Sequence, residues 1–147
     1  MEYFKLSRGS PQIYYVCIIK NTVMLKSILL VSAGGAFGSG LRYLTALFTQ
    51  KYIGQTYYWG TLIANILGCL LIGILMGYFT KSQFSNSEYK LLLVTGFCGG
   101  YTTFSAFAFE NFSLFQQGNY SAALLYTMLS VSGGIIAVVS GFALIRI

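Results

Sequence analysis

Residues 96 to 107 read Gly-Phe-Cys-Gly-Gly-Tyr-Thr-Thr-Phe-Ser-Ala-Phe, between apolar flanks at 91–94 and 107–109. Thr102, Thr103 and Ser105 offer hydroxyls, while Phe104 and Phe107, three apart, share one helix face. Three glycines inside a helix cost roughly 1 kcal/mol each against alanine. Within a membrane that cost has a use, because glycine frees backbone carbonyls to turn inward and meet an ion. The stretch reads as a broken transmembrane helix carrying a polar, aromatic-lined site. The alternative reading is a tight helix-packing patch whose phenylalanines are incidental.

Other polar groups fall at membrane depth in neighbouring segments. Asn65 is either an interhelical clasp or a donor facing a ligand. Tyr126 and Ser130 are four apart and so share a face, and Glu110 stands where a span meets water. Taken singly, Tyr126 suits an interfacial aromatic and Ser130 a backbone-bonded hydroxyl. As a set they are amide, hydroxyl and phenol donors with no acid in mid-span. A proton- or cation-coupled transporter wants a mid-membrane carboxylate. Uncharged donors suit a small anion that must bind and then leave. Phenylalanine rings have a positive edge, so Phe104 and Phe107 could attract an anion edge-on, or could equally be packing.

The elements that must hold these groups follow from composition. Of 147 residues, 56% are hydrophobic and only 8% charged, against roughly 25% charged in a soluble domain. This is a single-domain, all-α membrane protein. The net charge of +6 is dispersed at segment ends, which suits headgroup anchoring and argues against a nucleic-acid surface. Cys17, Cys69 and Cys98 have no metal spacing and read as small membrane-buried residues.

Four spans of about 20 residues each cross a bilayer core: about 27–48, 57–79, 90–109 and 121–144. Gly34, Gly35, Gly38 and Gly40 are expected to form one small-residue face, and Gly60, Ala64 and Gly68 a second. Tyr57, Tyr58 and Trp59 form an interface belt, and 49–56, 81–89 and 110–120 are polar loops. Residues 1–23 are mixed and hold no spanning run. Met24 is the expected natural start, with 1–23 an extension or a misassigned start ahead of a four-helix transmembrane domain, 24–147. From Met24 on, the side carrying the termini holds Lys26, Lys81, Lys90 and Arg146, and the opposite side Arg42 and Lys51. That four-to-two bias leaves orientation weakly specified, whereas counting Lys5, Arg8 and Lys20 of the extension makes it seven to two.

Three linked motifs then resemble the CrcB/Fluc family of fluoride channels. They are Gly34-Gly35-x-x-Gly38-x-x-x-Arg42-Tyr43, Gly60-Thr61-Leu62-x-x-Asn65-x-x-Gly68, and Gly96-Phe97-Cys98-Gly99-Gly100-x-Thr102-Thr103-Phe104-Ser105-x-Phe107. The resemblance runs from Met24 to the end, with departures at Ala106 and Gly134. It implies a fluoride-selective channel, not an enzyme, passing cytoplasmic fluoride out of the cell through the plasma or inner membrane. It implies four helices per subunit, the third broken, in an antiparallel, dual-topology homodimer within the lipid bilayer. The fluoride pathway would use Asn65, Phe104, Ser105, Phe107, Tyr126, Ser130 and Glu110, with Arg42 at an aqueous vestibule. A structural sodium ion at the dimer interface would rest on the carbonyls of Gly99 and Thr102. The rival reading is a small multidrug-type proton-coupled antiporter. It needs a carboxylate in an early span, and spans one and two contain no Asp or Glu.

Overall fold

The computed structural model of the chain describes residues 11–53, 58–81 and 87–146, with side chains from Thr22 onward. Helix α1 runs Pro11–Tyr52 and α2 Tyr58–Lys81. A short α3, Ser87–Tyr89, leads into a π-helical segment, Lys90–Cys98, followed by α4, Gly99–Tyr101. Helix α5 is Phe104–Gln116 and α6 is Tyr120–Arg146. No strand occurs among the described residues. Among the described residues, four stretches are long and apolar enough to cross a membrane: Thr22–Tyr52, Tyr58–Lys81, Ser87–Gln116 and Tyr120–Arg146. The chain is a multi-pass membrane protein.

Two expected boundaries shift. Helix α1 continues back through Met24 to Pro11, so part of the expected extension is helix continuous with the first span. Residues 1–10 and Tyr57 of the expected belt lie outside the described residues. The expected loop from Glu110 to Tyr120 is helix as far as Gln116. The turn that ends it is a Schellman motif: Asn119 N–H donates to the Leu114 carbonyl (2.9 Å) and Gly118 N–H to that of Phe115 (3.0 Å). Gly118 has φ 71°, a left-handed conformation that glycine adopts without a Cβ clash. That places Glu110 about two turns inside α5 instead of at its watery end.

Helix α2 lies along α6, and α1 lies against the π segment and α4. Lipid tails are as apolar as leucine, so this association depends on close packing and interhelical hydrogen bonds. Backbones meet directly at the α1 seam. A Cβ on Gly34 would run into the Leu92 carbonyl, and one on Gly38 into that of Phe97. Opposite them, a Cβ on Gly96 would come within 3.0 Å of the Gly34 Cα. Gly40 is not on this face, since a Cβ there meets nothing within 4 Å. Two residues past Gly38 is about 200° around the helix. Gly34→Ala is therefore expected to force the seam apart and cost about 1–3 kcal/mol, while Gly40→Ala costs nothing measurable. Thermal unfolding of both variants in detergent checks this, and equal midpoints would contradict the seam.

The second stripe divides its work. Gly60 faces Ala46 of α1, Ala64 is fully buried, and Gly68 faces Thr102 and Tyr101. A small core, Leu62, Leu114, Ala123 and Tyr126, joins α2, α5 and α6, with Phe107 packed at its edge. Asn111 is buried beside it and bridges α5 to α6, its Oδ1 accepting from the Thr127 hydroxyl at 2.9 Å.

Candidate functional site

The site is built around two residues between α4 and α5. Thr102 (φ −84°, ψ 156°) and Thr103 (φ −151°, ψ 122°) take extended backbone angles between helical neighbours. In an uninterrupted α-helix, the N–H of Thr103 would bond the Gly99 carbonyl and that of Ala106 the Thr102 carbonyl. Both donors go elsewhere. Thr103 N–H donates to Asn65 Oδ1 at 2.8 Å, while Asn65 Nδ2 returns a bond to the Thr103 carbonyl at 3.1 Å. Ala106 N–H donates to Thr103 Oγ1 at 3.3 Å, the usual bond of a threonine N-cap. Gly99 and Thr102 thus lose their helical donors, and their carbonyls are the two singled out for a cation. The Thr102 carbonyl accepts from Arg42 Nη1 at 3.3 Å.

An open groove of about 280 Å³ runs beside these residues, lined by Asn65, Thr103, Phe104, Phe107 and Ser130 among others. Three rings continue from it, each against the next. Phe104 and Phe107 have centroids 5.7 Å apart, and Phe107 and Tyr126 5.2 Å, both pairs tilted. Phe104 is 79% exposed on the chain, whereas Tyr126 is buried. Beyond the rings stands Glu110, its two oxygens accepting from Thr61 Oγ1 and the Tyr126 hydroxyl, each at 2.6 Å. Two short hydrogen bonds hold this carboxyl group within the membrane span. Ser130 Oγ is buried with no hydrogen-bond partner among the described residues.

The predicted residues therefore fall into three groups. Asn65, Phe104, Phe107 and Ser130 share the groove. Tyr126 and Glu110 bond to each other past Phe107. Ser105 is exposed and meets the Thr103 hydroxyl at 3.1 Å. Arg42, expected at a vestibule, reaches the Thr102 carbonyl between α4 and α5. Two groups went unread in the sequence. Thr61 holds Glu110, and Thr103 caps α5. The available signal for Thr61 was its spacing four before Asn65, which puts both on one face of α2. Among the described residues no group of three or more His, Cys, Asp or Glu could hold a metal ion.

The CrcB-like protein family (Camphor Resistance, CrcB) matches residues 29–142. The chain belongs to the CrcB family. The matched region holds every groove residue, the Thr61–Glu110–Tyr126 set and the α1 glycine seam. Among CrcB relatives, the Fluoride-specific ion channel FluC of Flavobacterium psychrophilum is 44% identical over 122 residues, 83% of this chain and 98% of the relative. The protein of the same name from Azobacteroides pseudotrichonymphae is 41% identical over 121 residues, 82% of this chain and 97% of that one. That of Rhizobium leguminosarum is 43% identical over 118 residues, 80% and 94% of the two chains.

Proposed function

We propose that this chain is a fluoride-specific ion channel, which lets fluoride leave the cytoplasm down its electrochemical gradient and so lowers its toxicity. The observation that carries the reading is the run of groove, rings and carboxylate pocket, in a chain whose relatives bear that name at 41–44% identity. Fluoride entering the groove exchanges water for the spare amide hydrogen of Asn65, the unpartnered Ser130 hydroxyl and the ring edges of Phe104 and Phe107. None of these carries a formal charge that would trap the ion. A negative cell interior adds about 2.3 kcal/mol of outward drive per 100 mV. Efflux from liposomes holding the purified chain, with chloride as the competing anion, tests the reading.

The third span works as a broken helix in this reading, with Thr102 and Thr103 as the break. A sodium ion fits there on donor chemistry, since Gly99 and Thr102 offer neutral backbone oxygens without their helical donors. When bound, it supplies a fixed positive charge beside the break. One protomer brings two such carbonyls, and a second, antiparallel protomer brings two more. The dual-topology homodimer in the plasma or inner membrane is thus part of the proposal. The weak Lys/Arg bias counted from Met24 suits it. Moving a few lysines is expected to fix one orientation. Two oppositely fixed variants should restore fluoride efflux together that neither gives alone. Full efflux from one fixed orientation by itself would contradict the antiparallel pair.

A further inference from the structure

We infer that Arg42 and a small monovalent cation compete for the Thr102 carbonyl, the guanidinium being the oxygen's built-in partner when the cation is absent. The inference rests on the sodium reading of the break. Thr102 gives its carbonyl no helical donor, because Ala106 N–H is spent on the Thr103 hydroxyl. Arg42 Nη1 fills that place at 3.3 Å, across 60 residues of chain and in partly buried surroundings. Its reach is set by the glycine seam. Arg42 follows Gly38 by one turn, and Gly38 is pressed against the backbone of Phe97 and Tyr101. The guanidinium therefore stands beside the break by construction of the helix pair.

Neither described carboxylate holds it. Glu88 accepts from Lys26, and Glu110 accepts from Thr61 and Tyr126. A neutral carbonyl holds a guanidinium less firmly than a carboxylate does, so this contact is displaceable. Guanidinium is a permanent cation, and a second positive charge on the same oxygen would repel it in surroundings poorer in water than bulk. Cation binding then requires Arg42 to turn away from Thr102. The released charge becomes available to an anion approaching the same end of the groove. By linkage, removing the guanidinium must tighten cation binding.

The test follows sodium binding through stability, since a ligand that binds only the folded state raises the unfolding midpoint as it saturates. The purified full chain, Arg42→Gln and Arg42→Lys are unfolded thermally over a sodium series, with N-methylglucamine holding ionic strength constant. Half-saturating sodium is expected to fall about tenfold in Arg42→Gln. In Arg42→Lys, which keeps the charge, it should stay within about threefold of the parent. Arg42→Ala is read in the same way should the glutamine variant not purify. Unchanged or weaker sodium binding without the guanidinium would overturn the competition, as would a lysine variant that shifts as far as glutamine. No sodium response in any of the proteins, parent included, would instead remove the sodium reading on which the inference stands.

Discussion

Fluoride efflux is expected to fall by roughly two- to tenfold in Phe104→Ile and in Phe107→Ile, with the protein still purifying intact. An aromatic edge interaction is worth about 0.5–1.5 kcal/mol beyond area burial, and 1.4 kcal/mol is a factor of ten in rate. The two positions test different things. Phe104 is 79% exposed on the chain, so isoleucine there removes a ring edge and almost no internal packing. Phe107 packs against the Leu62–Tyr126 core and lies between two other rings. Its replacement costs up to about 1.5 kcal/mol of stability as well. Single-vesicle or bulk efflux, paired with thermal midpoints, separates the two effects. Parent-like fluoride flux in both variants would show that the rings only pack.

Asn65→Leu is expected to be the more damaging change. Its amide makes two bonds to Thr103 across the α2–α5 contact, and leucine of similar size makes neither. Each backbone group left without its partner costs about 1–3 kcal/mol. The cheapest repair is for Thr103 N–H to return to the Gly99 carbonyl, closing the break into continuous helix. Fluoride efflux should then be lost together with any sodium-dependent gain in stability. Thermal unfolding with and without sodium, alongside efflux, checks the pair. A leucine variant with full flux and an unshifted midpoint would mean that Asn65 neither holds the break nor serves the ion.

Much of the architecture was legible because membrane spans are long, apolar and few. The α1 seam was legible too, since Gly34 and Gly38 at four-residue spacing have few other uses in an apolar helix. The end of α5 was not. Its Glu, Asn and Gln residues look like loop, and Gly118, the left-handed residue that stops the helix, was the stronger signal. Reading Glu110 as loop hid its pocket, because the Thr61 partner lies 49 residues away. Asn65 was ambiguous for a physical reason: a carboxamide clasps a backbone and faces a ligand with the same atoms. Its partner at Thr103 is visible only once α2 and α5 are side by side. The contact of Arg42 with Thr102 could not be read at all, since arginine late in a membrane span ordinarily snorkels to water.

The claim that the groove and rings form a fluoride-specific pathway is tested most directly in a planar bilayer holding the purified chain, with fluoride on one side and chloride on the other. The measurement is the zero-current voltage. If the account is right, that voltage follows the fluoride gradient alone and does not move as chloride is raised. A voltage that shifts with chloride, or that tracks a proton gradient instead, would contradict it.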